Sequence, residues 1–214
     1  MTDISDPSIS RQLLAHVRRL APKRALTFAE SLNVAQLQAT TLRELLDIQA
    51  PAMPLGWVSE LPHVRLEVVP AHTLDDGTSG LTTRQDGHYL VRVNKNRPRV
   101  HRRFTLAHEL KHVIDYPYAR LWHAGLGFGY LESQEYRIER IADAFAAQLL
   151  MPTMLVKRAW ARGLQNPHTL AQVFEVSAEA MRIRLDTLGL TGDDDLPAAT
   201  YFRRTYFDYL TQSI

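Results

Sequence analysis

The hydrophobic period of this chain changes twice, and that pattern limits the folds open to it. Apolar residues recur every three or four positions over residues 8–49 and again from residue 101 onward, which predicts helices. Between them, "VRLEVVP" and "HYLVRVN" alternate apolar and polar residues, which predicts short strands, and "DG" at 86–87 predicts a hairpin turn. One block of two or three short antiparallel strands within a helical chain predicts an α+β fold.

Breaks in the pattern predict three parts. Residues 1–56 form a helical segment that ends in the proline-rich stretch "QAPAMPLG". Residues 57–165 hold the strands and two central helices, at 101–116 and 135–150, joined by a long loop rich in glycine and aromatic residues. Residues 166–214 contain a helix–turn–helix rhythm, with Ser177 as an N-cap, followed by a tail.

Composition excludes several kinds of site. The chain has no cysteine, so disulfides, thiolate metal sites and cysteine nucleophiles are ruled out. Lys and Arg number 25 against 23 Asp and Glu, a balance that does not favour nucleic acid or membrane surfaces. No apolar run approaches the roughly 20 residues that span a bilayer, and "MTDISDPSIS" does not resemble a signal peptide. We therefore expect a cytoplasmic protein without a membrane partner.

The first central helix carries the stretch "RFTLAHELKH". His108 and His112 are four residues apart, so on a helix they lie about 40° and about 6 Å from each other. Both rings can therefore converge on one metal ion. Glu109 lies about 100° from His108, beside the pair, which suits a base that takes a proton from an activated water.

A catalytic zinc site needs a third protein ligand. The second central helix offers Glu135, Glu139 and Asp143. Glu139 and Asp143 share a face at the edge of the apolar stripe, where an unpaired carboxylate is costly. Glu139 could bind the metal and Asp143 could accept a hydrogen bond from a ligand histidine. The alternative is a helix edge with solvated acids paired with Arg137 or Arg140.

Three separated motifs then resemble a known family. "RFTLAHELKH", "ERIADAFAAQLLMP" and "FEVSAEAMRIRLDTLGL" resemble, in this order, the ImmA/IrrE family of bacterial and phage zinc metallopeptidases. The resemblance extends from about "YLVRVN" to Leu190. It implies a zincin-like core of the gluzincin type: a small antiparallel or mixed sheet, an active-site helix and a glutamate helix, with helical N- and C-terminal segments. It also implies a metallo-endopeptidase that cleaves a helix-turn-helix repressor encoded nearby and so activates phage, mobile-element or stress genes.

The resemblance implies a role for each matched residue. His108 and His112 match the zinc-binding histidines, Glu139 matches the carboxylate ligand, and Glu109 matches the catalytic glutamate. Asp143 falls where the family often has Asn or Asp. The expected cofactor is Zn²⁺, with Mn²⁺ or Fe²⁺ as alternatives, because histidine and carboxylate sites are not strictly selective.

The sequence leaves the substrate-binding groups open. A second donor to the developing oxyanion is usual in such sites, and four residues are candidates: His123, Tyr116, Tyr130 and Tyr136. The strand at 88–94 could align a peptide by edge pairing. The family commonly reads H-E-L-G-H, whereas this chain has Lys111 at the fourth position, which we expect to bring a positive charge to the cleft rim. Residues 8–49 show no clear recognition pattern, so we do not expect them to form the N-terminal repressor-type helix-turn-helix that some relatives carry.

Two other functions are compatible with the sequence. Arg182 and Arg184 on the last predicted helix would suit a DNA-binding regulator, but a DNA-reading helix should be richly basic, and most of its neighbours look like packing residues. The segment at 166–190 is therefore expected to brace the core or to contact a partner. The second alternative is a zinc-binding regulatory protein without useful proteolysis. The presence of Glu109 argues against it, because a structural metal site needs no base.

Overall fold

The computed structural model describes residues 7–126 and 133–190. The elements in these ranges confirm the α+β class, and part of the predicted loop at 117–134 forms a short helix. In chain order the elements are α1 Pro7–Arg19, α2 Phe28–Leu45, β1 Val64–Val69, β2 Gly80–Gln85, β3 His88–Asn94, α3 Arg99–Asp115, α4 Ala119–Trp122, α5 Gln134–Leu150, α6 Thr153–Ala161, α7 Pro167–Phe174 and α8 Ala178–Thr187.

The three strands form one mixed sheet in the order β1-β3-β2. β2 and β3 are an antiparallel hairpin whose two-residue turn is Asp86–Gly87, both with positive φ, as the sequence predicted. β1 pairs with β3 in parallel, so of the antiparallel or mixed sheet that was expected the mixed form is present, and the strands are not all antiparallel as the alternation alone suggested. β2 pairs with one edge of β3, and β1 pairs with the other edge. Because the chain reverses once before β2 and once after it, β1 and β3 run in the same direction.

The sheet order also corrects the expected substrate edge. The strand at 88–94 is β3, which pairs on both sides and offers no free edge. In the described part of the chain the strand with an unpaired edge next to α3 is β2. The sequence reads "GLTTRQ" there, with one large apolar residue, so it gave little indication of a strand.

The helices pack into one hydrophobic core beside the sheet. α5 lies between α2 and α3, and its Phe145 and Leu149 are fully buried. Arg18 of α1 donates to the carbonyl oxygens of Val113 and Ile114, which would otherwise be unpaired at the end of α3. These hydrogen bonds hold α1 against the end of α3.

The helix–turn–helix rhythm corresponds to α7 and α8, and Ser177 caps α8 by accepting a hydrogen bond from the Ala180 amide. Arg184 is buried and donates to the Met151 carbonyl at 3.0 Å and to the Thr153 hydroxyl at 2.9 Å. Arg182 pairs at the surface with His168 and Glu179. Of the two arginines considered for DNA contact, one is thus part of the internal packing that braces the core.

Candidate metal centre

α3 presents two imidazole rings to one point. The Nε2 atoms of His108 and His112 lie 3.1 Å apart, although their side chains belong to successive turns. The helix is held in position by the buried residues Ala107, Leu110 and Ile114 on its opposite face. The predicted convergence of the two histidines is therefore present in the structure.

α5 brings a carboxylate to the same point. The Glu139 oxygens lie 3.0 Å from His108 Nε2 and 3.5 Å from His112 Nε2. Ser133 caps α5 by accepting a hydrogen bond from the Tyr136 amide. The packing of α5 on α3 places Glu139 beside the two histidines. Glu135, the competing candidate, is exposed on the same helix.

The three donors fit a tetrahedral cation. Ligand atoms about 2.0–2.1 Å from a tetrahedral zinc lie about 3.3 Å from one another. His108 Nε2 lies 3.1 Å from His112 Nε2 and 3.0 Å from Glu139 Oε2, and His112 Nε2 lies 3.5 Å from the other carboxylate oxygen, Glu139 Oε1. Within residues 7–126 and 133–190 these side chains are the group that could hold a metal ion. The Glu139 side chain is 44% exposed, so the cluster is open to solvent on one side.

Asp143 lies one turn after Glu139 and contacts the other nitrogen of His108. Its Oδ1 is 2.9 Å from His108 Nδ1. This contact holds a proton on Nδ1, so in the neutral ring the lone pair of Nε2 is directed at the metal position. Both carboxylates of this helix edge are thus in contact with His108, although the side chains are 44% and 24% exposed for Glu139 and Asp143.

The electrostatics of the cluster favour a bound positive charge. Burial disfavours a charged ring at His108, but the carboxylates of Asp143 and Glu139 outweigh it and raise the pKa of His108 to about 10. Burial and the charge of His108 lower the pKa of His112 to about 4. Without metal, the cluster therefore holds a proton on His108 at neutral pH, and a metal ion would replace that proton.

Glu109 lies beside the cluster and points toward β2. Its side chain is buried, and burial raises the pKa of its carboxyl group. A raised pKa makes a carboxylate a better proton acceptor near neutral pH. Its Oε2 accepts a hydrogen bond of 2.7 Å from the Thr82 hydroxyl. Thr82 was not singled out from the sequence, which gives no signal for a contact between segments so far apart.

The candidate oxyanion donors are spread over the molecule. The His123 ring faces Asp115, with Nε2 3.6 Å from Oδ2, and Tyr116 lies edge-on against Tyr89. Tyr136 lies one turn before Glu139 on α5, and its hydroxyl accepts from Arg140 at 3.2 Å. Tyr130 falls outside the described residues. Along the chain, Tyr136 lies three residues before Glu139 and Tyr116 lies four residues after His112.

A family model described as the IrrE N-terminal-like domain, of the peptidase M78 type, matches residues 65–186, more than half of the chain. The chain belongs to this family. Membership confirms the resemblance to ImmA/IrrE proteins and supports a metallopeptidase function. The matched range includes both candidate histidines and the two glutamates described above. No curated protein sequence matches the chain. None of the described helices has the length and apolarity needed to cross a membrane.

Lys111 of this IrrE-like domain does not lie at the cleft rim, so that expectation was wrong. Its side chain is 3% exposed, and its ammonium group donates to Asp115 at 2.6 Å and to Gln38 at 2.8 Å. On the α3 helix Lys111 is one residue from His112 but faces α2, because successive residues turn by about 100°. Its ammonium group links α3 to α2 through the hydrogen bond to Gln38.

Removing Asp143 should weaken metal binding. We expect Asp143→Ala to lower the affinity for zinc about 10–100-fold, because the proton on His108 is no longer held on Nδ1. The measurement is competition with a chromophoric chelator. Glu135→Ala, on the exposed side of the same helix, is the matched control and should bind zinc as the wild type does. A larger loss in Glu135→Ala than in Asp143→Ala would contradict the choice of Glu139 as ligand.

Proposed function

We propose that this IrrE-like domain is a zinc-dependent endopeptidase that cleaves a transcriptional repressor in the cytoplasm. The observation that carries the proposal is a buried glutamate, Glu109, beside a His-His-Glu cluster that is open to solvent. A structural zinc site would need neither the base nor the opening. In this proposal His108, His112 and Glu139 hold the metal, with Mn²⁺ or Fe²⁺ as alternatives to Zn²⁺.

A zinc ion bound there supplies polarisation of the scissile carbonyl and a water of lowered pKa. Glu109 takes a proton from the attacking water and later delivers it to the leaving amine. His108 is kept in one tautomer by Asp143 throughout. Tyr136 is the donor that we propose for the oxyanion, because its position on α5 is one turn from Glu139.

The free edge of β2 is the surface that we propose for the substrate backbone. The Asn94 amide donates to the Ser79 carbonyl, so the pair Ser79–Asn94 is hydrogen bonded between β2 and β3. Such pairs alternate along an antiparallel ladder. The amide and carbonyl groups of Gly80, Thr82 and Arg84 therefore point away from β3. An extended peptide can add to them as a further strand beside Glu109.

The substrate class follows from the family resemblance. We propose a helix-turn-helix repressor encoded near this gene, whose cleavage activates phage, mobile-element or stress genes. Repressors act in the cytoplasm, which is the compartment that we propose for the enzyme. Direct DNA binding by α7 and α8 has less support, because Arg184 is used for internal packing.

The test is cleavage of the repressor-like protein encoded beside this chain. Purified wild-type protein with zinc should produce one defined fragment, and a metal chelator should prevent it until zinc is restored. Glu109→Gln should bind zinc but produce far less fragment in the same time, because glutamine cannot accept the proton. An intact repressor in every reaction would contradict repressor cleavage. In that case the zinc-binding regulatory function would be favoured.

A further inference from the structure

One face of β2 lies directly against the carboxylate of Glu109. Gly80 and Thr82 are two residues apart and therefore lie on the same face of the strand. The Thr82 hydroxyl is 2.7 Å from Oε2 of Glu109 and 3.4 Å from the Glu109 carbonyl oxygen. The hydroxyl thus contacts one of the two carboxylate oxygens. A hydroxyl–carboxylate hydrogen bond is among the stronger ones in proteins, so it restricts the rotation of the side chain.

Gly80 lies against the other carboxylate oxygen. A Cβ atom at this position would lie 3.0 Å from Oε1 of Glu109 and 2.3 Å from Cγ2 of Thr105. Its backbone does not require glycine, because its φ is not among the positive values in the described chain. The requirement is space: the strand approaches α3 so closely that any side chain would fill the gap beside Oε1.

We propose that β2 positions the catalytic base: Thr82 holds Oε2, and the missing side chain at Gly80 keeps Oε1 accessible to the proton it must accept. Thr82 is a positioning residue and does not itself take part in proton transfer. The assignment rests on the proposed function, since it concerns Glu109 as a base. It links that base to the strand that we propose for the substrate, so one element aligns both reaction partners.

Three variants test the role of the hydroxyl in the repressor cleavage assay. Thr82→Val keeps the shape but removes the donor, and we expect kcat to fall about 10–100-fold with KM and zinc content unchanged. Thr82→Ser restores the donor and should recover most of the lost kcat. Thr83→Val is the matched control, because Thr83 is exposed on the opposite face of β2. Equal rates for Thr82→Val and Thr83→Val would overturn the proposal.

The space beside Oε1 is tested by a double variant. Gly80→Ala alone would clash with Thr105, so it is combined with Thr105→Ser, which removes Cγ2 but keeps the Oγ1 bond to the His101 carbonyl. We expect the double variant to fold and bind zinc but to lose kcat, whereas Thr105→Ser alone remains active. Full activity in the double variant would contradict the need for an open Oε1.

A measurement without substrate separates this proposal from the proposed function. Thermal unfolding of the full chain is followed for Thr82→Val, Glu109→Ala and their combination, with zinc and after chelation. We expect Thr82→Val to lower Tm by about 3–10 °C when Glu109 is present and by much less in Glu109→Ala. Additive changes in Tm would overturn the proposal even if the enzyme cleaves. Non-additive changes in Tm in a protein that does not cleave the repressor would contradict the proposed function but not the positioning of Glu109 by Thr82.

Discussion

Replacing Asp115 by alanine is expected to lower the free energy of unfolding by about 3–5 kcal/mol. Lys111 is buried, and its ammonium group lies 2.6 Å from Asp115 Oδ1 and 2.8 Å from Gln38 Oε1. Without Asp115 the positive charge stays in the interior with one neutral partner. Removing one member of a buried pair costs more than the pair contributes, because the remaining charge has lost its water.

Two variants distinguish this effect from a general loss of charge. Glu67→Ala breaks the half-exposed pair with Arg92 and should cost less than about 1 kcal/mol. Lys111→Met with Asp115→Leu removes both charges and should recover most of the stability, apart from about 1–3 kcal/mol for the unpaired Gln38 oxygen. Urea unfolding of each variant gives the comparison. A change below 1 kcal/mol in Asp115→Ala would mean that Lys111 reaches solvent when its partner is lost.

The same pair gives the stability a dependence on pH. Burial alone would raise the pKa of Asp115, but the charge and hydrogen bond of Lys111, together with His123, outweigh it and lower the pKa. A carboxylate whose pKa is lower in the folded state stabilises that state above its unfolded pKa of about 3.9. The contribution is then lost as the pH falls further. The variant without either charge should lose less stability below about pH 4 than the wild type does.

Local spacing explains what could be predicted from the sequence. His108, Glu109 and His112 belong to one helix, and a regular helix fixes their relative directions whatever surrounds it. Glu139 and Asp143 follow the same rule on α5, and the family motif joined the two sets. The hairpin at Asp86–Gly87 was predictable for the same reason, because its turn is set by neighbouring residues.

Packing between distant segments explains what could not be predicted. The contact of Thr82 with Glu109 joins residues 27 positions apart, and that of Lys111 with Gln38 joins residues 73 apart. Neither the alternation of apolar residues in a strand nor their periodic spacing in a helix indicates which distant residues come into contact. Lysine is usually exposed, so its burial beside an aspartate is visible only once Gln38 of α2 is placed next to it. The parallel pairing of β1 likewise depends on a contact between distant segments, since β1 adds to β3 and not to β2, with which it would be antiparallel.

Glu109→Gln is expected to lower kcat about 10²–10⁴-fold, the usual contribution of a positioned general base. Glutamine has nearly the same shape and can still accept the Thr82 hydrogen bond, so zinc content and KM should change little. The kinetic measurement uses the repressor fragment as product, and bound zinc is determined in the same preparations. A loss of bound zinc as large as the loss of kcat would contradict the assignment of Glu109 as a base that does not bind the metal.

The same substitution should raise stability at neutral pH. Burial raises the pKa of Glu109, so the folded state binds its proton more tightly than the unfolded chain does. Ionisation of this group therefore destabilises the folded protein as the pH rises above its unfolded pKa of about 4.3. Glutamine does not ionise, so after chelation the variant should have a higher Tm than the wild type at pH 7 and a similar Tm near pH 4. A lower Tm of the variant at pH 7 would show that contacts of the charged carboxylate, such as that with Thr82, outweigh its desolvation. The expected gain in Tm means that the ionised Glu109 side chain lowers the stability of the folded protein, as is common for residues that serve catalysis.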